Sequence, residues 1–331
     1  DTPSGVNEST LKYIWTQSLA APNNWTNATA FTNGATITTP EGVTGNDWYL
    51  WIYAEDNLGH TLITSTNAFY LDNTIPTVTF APNGNETPEQ SQTTTVTVVD
   101  NEPTCGLNES SLKYVWTEST AEPADSEFTT SFTNGGQITL DGIETGGRYL
   151  WIMASDNLGN TVKTVSNVFN FDNVKPTISV NPDKLQIAEE NLDVTITVED
   201  NGGAGLAVTN EYKYYLSSSQ TALVDGEEKT YESGKTNKIG TGLTGTYYLF
   251  VKQISDEADN LSEQNGAKVT LENGTTWHKF GEYLFDNSIP EVVFGTNGNT
   301  DWERQHSTTV TLTDTPSGVN ESTLKYIWTQ S

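Results

Sequence analysis

Cysteine is almost absent from this sequence. Cys105 stands alone among 331 residues, which excludes a disulfide framework and any cysteine-rich metal site. Histidine is nearly as scarce, and His60, His278 and His306 form neither a His-X-X-X-His pair nor any Cys/His metal spacing. Positive charge is thin: 15 Lys+Arg face 43 Asp+Glu, for a net charge of −28. That balance argues against nucleic acid and anionic lipid as partners, and it keeps a long chain soluble. No apolar run is long enough to span a bilayer, so no membrane contact is expected in this stretch. Neither a signal-peptide pattern nor an initiator Met opens it, and such features, if they exist, lie outside this stretch. No Gly-X-Ser-X-Gly elbow and no phosphate-cradling glycine loop occurs, and paired carboxylates arise by accident in a chain this acidic. The expectation is that the chain is not an enzyme.

What the sequence does have is repetition. Residues 1–18, DTPSGVNESTLKYIWTQS, return unchanged as residues 314–331, an offset of 313 residues. Weaker copies lie between, since LKYIWTQS at Leu11 recurs as LKYVWTES at Leu112 and as EYKYYLSS at Glu211. Asp1, Asp100, Asp200 and Asp314 mark units of 99, 100 and 114 residues within one superrepeat. Units of that size can each bury a core. Nine Trp, fourteen Tyr and eleven Phe, many at recurring places, argue against disorder.

The fold class read from these units is all-β. Between residues 76 and 175, runs such as TVTF, TTTVTVVD, SSLKYVWTE, QITL and GRYLWIMAS alternate with clusters of Gly, Asn, Asp and Pro, among them the turn at residues 101–108. No apolar pattern of helical period persists. About seven short strands per unit predict tandem antiparallel β-sandwiches. Alternation assigns Leu150, Ile152 and Ala154 to the inner face, as it does Leu50, Ile52 and Ala54. It leaves Tyr149, Trp151 and Met153, with Tyr49, Trp51 and Tyr53, on the outer face as an aromatic stripe, which fades to Tyr248, Phe250 and Lys252 in the third unit. The stripe reads either as an interface or sugar platform or as a face covered by the sandwich's own connections.

The repeated junctions LDNTIP, FDNVKP and FDNSIP end at Pro76, Pro176 and Pro290 and leave almost no linker. They divide the chain into residues 1–75, an immunoglobulin-like unit lacking its first strands; 76–175, a complete unit; 176–289, a unit with an extra loop or hairpin; and 290–331, the opening strands of the next. One polypeptide repeating every 313 residues is the favoured account of this phase. The other is strand exchange between subunits, in which the Leu11 and Leu324 strands compete for one slot. The third unit carries its additional residues between Ser255 and Asn287.

YLWIYAEDNLGH, YLWIMASDNLGN, the LDNTIPTVTF junction and the DTPSGVN turn resemble the bacterial immunoglobulin-like (Big-type) tandem repeat domains of large cell-surface proteins and adhesins. The third unit departs, with QISDEADN and NGGAGL in place of two of these elements. The resemblance spans the chain and implies an immunoglobulin-like fold at the cell surface, without naming a ligand.

Three kinds of site follow. Asp72, Asn73, Asp172, Asn173, Asp286 and Asn287, near Asp56, Asp156 and Asp256, are candidates for structural calcium at the joints, or for Asx-turns that cap backbone N–H groups. Asn7, Asn24, Asn27, Asn85, Asn108, Asn260, Asn273 and Asn320 carry the glycosylation triplet. Tyr49, Trp51, Tyr53, Tyr149 and Trp151 are the candidate interface. Lys12, Lys113 and Lys213 recur on one strand and read as solvated lysines rather than isopeptide donors. The function expected is a structural extracellular stalk, fibre or filament whose partners are neighbouring copies of the repeat. The alternative is an adhesin that binds a glycan or host protein through the aromatic stripe or the insertion.

Overall fold

The computed structural model describes residues 2–101, 105–264 and 266–330. Asp1 of the opening motif and residues 102–104 of the turn after Asp100 therefore lie outside the described residues. The fold is all-β, with tandem immunoglobulin-like antiparallel sandwiches; among the described residues the only helical pieces are three 3₁₀ turns of three residues each. By compactness the chain divides into two units. One is Asp1–Glu86 with Gln92–Leu140 and Gly147–Phe169, the other Thr87–Ser91 with Asp141–Gly146 and Asn170–Ser331.

In the first unit, residues up to Leu71 form one sheet. Val6–Thr16 lies between Thr29–Ala30 and Gly45–Asp56, and Gly45–Asp56 continues to Thr61–Ser65 and Phe69–Leu71. The sandwich that follows is complete. Thr77–Ala81, Ser91–Val99 and Gln137–Asp141 make one sheet, and Thr130–Ser131, Lys113–Thr117, Thr145–Ser155 and Thr161–Val165 make the other. Thr and Val alternate along Ser91–Val99, so Val96 and Val98 turn inward, while Leu150, Ile152 and Ala154 are fully buried on the opposite sheet. The expected inner face is the observed one.

In the second unit, Thr177–Asn181, Leu192–Glu199 and Thr236–Ile239 face a six-stranded sheet built on Thr276–Phe285, Gly245–Lys252 and Lys213–Ser217. Val194, Ile196, Leu249, Val251, Tyr283 and Phe285 fill the space between them. The extra residues of this sandwich form a hairpin: Lys268–Thr270 pairs with the start of Thr276–Phe285. Beyond it, Glu291–Phe294 and Val310–Thr313 pair as an isolated ribbon.

The outer aromatic face is roofed rather than open. Trp51 and Trp151 are buried and Tyr49, Tyr53 and Tyr149 half-buried. Trp51 donates its indole N–H to the Ser18 carbonyl at 3.2 Å, and Trp25 lies 5.3 Å from Tyr53, so residues 18–25 fold across the stripe. In the next sandwich Lys163, paired opposite Met153 on that face, reaches Glu122 at 3.0 Å and sits over the buried Phe128 ring. The third sandwich roofs Tyr215, Phe250 and Trp277 with Val269 and Leu271 of its added hairpin. The stripe is thus covered in large part by each sandwich's own connections, the second of the two readings the sequence allows. Once two opposed sheets have sealed the aliphatic face, the remaining apolar area is hidden by each sandwich's own connection.

Candidate functional site at the joints

Each junction Asp closes a strand and then accepts hydrogen bonds in both directions. Asp72 Oδ1 accepts from the Thr74 N–H at 3.0 Å and its Oδ2 from the Cys105 N–H at 2.8 Å. Asp172 repeats this with Val174 at 2.9 Å and Ala204 at 2.7 Å. Asp286 repeats it with Ser288 at 3.0 Å and Ser317 at 2.8 Å. An Asp-Asn-X turn supplies the local contact, and the distant one fastens the opening turn of the following unit.

A second carboxylate meets the first at two of these joints. Asp156 Oδ1 caps the hairpin tip through Leu158 and Asn160 N–H groups at 2.9 and 2.8 Å, and Asp256 caps Ala258 and Asn260 at the same distances. Asn160 Nδ2 then donates to Asp156 Oδ2 at 2.6 Å and to the main-chain oxygen of Asp72 at 3.1 Å. Asn260 makes the same pair to Asp256 at 2.8 Å and Asp172 at 2.9 Å. At the first hairpin His60 takes the asparagine's place and puts Nδ1 2.8 Å from Asp56 Oδ2.

Asp100 and Asp200, which mark the period in the sequence, are the residues that sequence reasoning left out of the site. Asp100 Oδ2 accepts from the Gly106 N–H at 2.9 Å and Asp200 Oδ2 from the Gly205 N–H at 2.8 Å. Gly5, Gly106, Gly205 and Gly318 all hold φ between 77° and 91°, a region closed to most side chains. The result is two clusters, Asp72–Asp100–Cys105–Asp156 and Asp172–Asp200–Asp256, each with its ligand-type atoms within 4.8 Å of one another.

The asparagines expected beside the carboxylates turn the other way. Asn73 donates to the Val43 carbonyl at 2.6 Å, Asn173 to Gln90 and Ile143 at 2.9 and 2.8 Å, and Asn287 to Glu190 and Leu243 at 2.9 and 2.6 Å. They pin loops that precede the joint and do not join the clusters.

The third unit's departures in sequence preserve the geometry. Ala204 replaces serine and keeps the backbone N–H to the junction aspartate, without the hydroxyl bond that Ser4 makes to Asp56. Asp259 adopts φ 63° where Gly59 and Gly159 have 89° and 95°.

Burial pushes the Asp72 carboxyl up, but hydrogen bonds from Thr74 and Cys105 outweigh it and hold the group down at about 2. Asp156 is likewise lowered against burial by Asn160 and Leu158, and Asp286 by Ser288 and Ser317. Burial and the neighbouring Asp72 carboxylate raise the Cys105 thiol, which keeps it protonated.

Of the sequon asparagines, Asn24, Asn27, Asn273 and Asn320 are exposed and Asn7, Asn85 and Asn108 half-buried. Asn260 is corrected: it is buried and commits its Nδ2 to two acceptors, so the folded chain offers no nitrogen there for a glycan. Lys213 pairs with Glu211 at 3.2 Å and Glu228 at 3.1 Å, a solvated ion pair.

No helix of the described residues is long and apolar enough to cross a membrane. No family model matches the chain. GlcNAc-binding protein A, from two strains of Vibrio cholerae serotype O1, is 27% identical over 146 residues, which cover 42% of this chain and 29% of that protein. The chain thus spans less than a third of those relatives. Among solved structures, the fibronectin(III)-like modules of Clostridium thermocellum CbhA are 15% identical with a TM-score of 0.26, covering 63% of this chain and 94% of theirs. The D00-D0 domain of intimin is 15% identical with a TM-score of 0.24, covering 57% of this chain and 97% of its own.

Proposed function

We propose that the chain is a stretch of a structural, extracellular repeat protein of the Big type, a stalk or filament at the cell surface with three immunoglobulin-like domains per 313 residues. The observation that carries this reading is the threefold recurrence of one joint, in which Asp72, Asp172 and Asp286 each fasten the opening turn of the following unit by the same pair of backbone hydrogen bonds. A joint made of short, charge-assisted bonds restrains bending, and repeating it gives length rather than one binding site. The divisions at residues 75, 175 and 289 belong to this proposal, and the reading assigns the chain no catalytic step.

The joints in this reading are closed by hydrogen bonds and not by calcium. A calcium ion needs six to eight oxygens, whereas the junction carboxylates face N–H donors and the asparagines turn away. Chelation is expected to leave thermal unfolding unchanged; a lowered melting temperature in chelator would restore the ion.

The test of the stalk is the mass of the natural polypeptide on a denaturing gel. A species many times 36.2 kDa supports one continuous array, and a band near that mass counts against it. A glycan-binding reading has one observation in its favour, the partial likeness to a protein named for binding GlcNAc. With the stripe roofed and the hairpin's Val269, Leu271 and Trp277 turned inward, its polar rim, Lys268, Thr270 and Glu272, would have to carry recognition. Titrating chitin oligosaccharides into the chain separates the two, since a spacer shows no saturable binding.

A further inference from the structure

In the second and third sandwiches the first residues are tied directly to the last. The opening segment of the third is held twice. Thr177–Asn181 runs antiparallel to Leu192–Glu199 on one sheet, the chain crosses over at Pro182, and Leu185–Glu189 runs parallel to Thr276–Phe285 on the other, with Leu185 opposite Tyr283 and Glu189 opposite Phe285. The second sandwich repeats the plan. Thr77–Ala81 pairs with Ser91–Val99, and beyond Pro82 a parallel bridge joins Glu89 to Phe171.

The bonds of this parallel seam correspond in the two sandwiches. Glu89 donates its N–H to the Asn170 carbonyl at 3.3 Å and accepts from the Asp172 N–H at 3.1 Å, and Glu189 accepts from the Asp286 N–H at 3.0 Å. The junction asparagine then closes the seam. Asn173 Nδ2 donates to the Gln90 carbonyl and Asn287 Nδ2 to the Glu190 carbonyl, both at 2.9 Å. The same two amides also reach the Ile143 and Leu243 carbonyls at 2.8 and 2.6 Å. The asparagine is thus the last fastening before the chain leaves its sandwich, while the aspartate beside it is bonded forward, to Ala204 or to Ser317.

Resting on the stalk reading, we propose that this seam, with the junction asparagine at its end, is a shear lock that carries tension along the array. Tension in a tandem array draws a sandwich by its opening residue one way and by its closing residue the other. Because the two strands are parallel, the two pulls act at opposite ends of the seam and along it, so its evenly spaced bonds are loaded together. An antiparallel hairpin pulled at its open end would instead yield bond by bond. The first hold, on Ser91–Val99 or Leu192–Glu199, meets the same kind of load, and the seam takes over once it gives. Asn173 and Asn287 stand where the pull enters from the closing side. Their two bonds each must break before Asp172 or Asp286 can be peeled away from Glu89 or Glu189.

Single-molecule pulling of the full chain by its two ends tests this. Rupture under force reports the barrier to unfolding and not the equilibrium stability, so the variants are chosen to separate the two. Glu89→Pro removes a seam donor from the second sandwich, and Asn173→Ala removes only the closing amide. Phe128→Leu thins the buried packing of the same sandwich in a connection that belongs to neither strand of the seam. The two strongest ruptures of the unaltered chain are expected to be those of the second and third sandwiches. Glu89→Pro and Asn173→Ala are each expected to drop one of these well below the other, which serves as the reference within the same trace. Phe128→Leu is expected to lower the denaturant midpoint and leave both forces where they were. If Glu89→Pro does not fold, Asn173→Ala alone decides. Rupture forces that neither seam variant lowers overturn the proposal, and so does a Phe128→Leu chain that ruptures as early as they do. A weak seam in a natural polypeptide many times 36.2 kDa strikes the lock and leaves the stalk, whereas a strong seam with a band near that mass strikes the stalk alone.

Discussion

The side-chain amide of Asn260 donates to the main-chain oxygen of Asp172 at 2.9 Å across 88 residues of sequence. It joins a hairpin tip to the strand end that leads into the same sandwich, and both residues are buried. Asn260→Ala would leave the Asp172 carbonyl and one Asp256 carboxylate oxygen without this donor. Losing a donor to buried acceptors costs about 1–3 kcal/mol for a neutral partner and more for a charged one. Denaturant unfolding of Asn260→Ala and of the exposed control Asn273→Ala should show the first destabilised by that amount and the second unchanged.

Asp259 occupies the left-handed region at φ 63°, where the two other hairpins use glycine. Holding a non-glycine residue there costs about 1–2 kcal/mol, somewhat less for aspartate. Asp259→Gly should therefore raise the stability of the third sandwich by about 1 kcal/mol, and Gly159→Asp should lower that of the second. Thermal unfolding of the two variants measures both signs.

Ile152 on Thr145–Ser155 and Ile52 on Gly45–Asp56 hold equivalent positions on equivalent strands, one sealed and one half-covered. Ile152→Ala removes fully buried methyl groups and should cost about 2–5 kcal/mol. Ile52→Ala, at the half-covered site, should cost well under half of that. Hydrogen exchange followed separately in the Lys113–Thr117 and Val6–Thr16 strands distinguishes the two effects.

Acid should act in two stages. His278 is buried beside Ser262 at 3.2 Å, and burial lowers its pKa, so the fold prefers the neutral ring. Its contribution is complete above the ordinary value of about 6.5 and is lost as pH falls below it. The Asp72, Asp156 and Asp286 carboxylates follow. Their folded values are depressed, so their contribution is complete above about 3.9 and lost as pH falls from there through the Asp72 value of about 2. Melting curves from neutral to strongly acidic pH should show both stages in the unaltered chain and only the second in His278→Gln.

The strands were legible because alternation is local: the sequence GRYLWIMAS states which side chains share a face, and Leu150, Ile152 and Ala154 are where it puts them. The joints were legible as recurring Asp-Asn-X-X-Pro, and the third unit's added hairpin as extra length. The roof over Trp51 was not, because what covers an outer face depends on the path of a polar connection in which Trp25 or Phe128 appears as an isolated aromatic. The partners of Asn73, Asn173 and Asn287 were hidden for a similar reason, being carbonyls about 30 to 97 residues away with no side-chain signature. Asp100 and Asp200 did carry a signal, their recurrence at the start of each unit, but it served as a ruler rather than as chemistry.

The junction aspartates grip a peptide N–H whatever residue carries it. Cys105, Ala204 and Ser317 stand at the gripped position in three successive units and each presents the same N–H. The backbone half of that clamp survives substitution on its receiving side, whereas the side-chain half, which Ser317 adds at Asp286 and Ser4 adds at Asp56, does not. Replacing Cys105 with alanine, the residue that stands at position 204, is expected to keep the N–H to Asp72 and to lose the thiol's contact with that carboxylate.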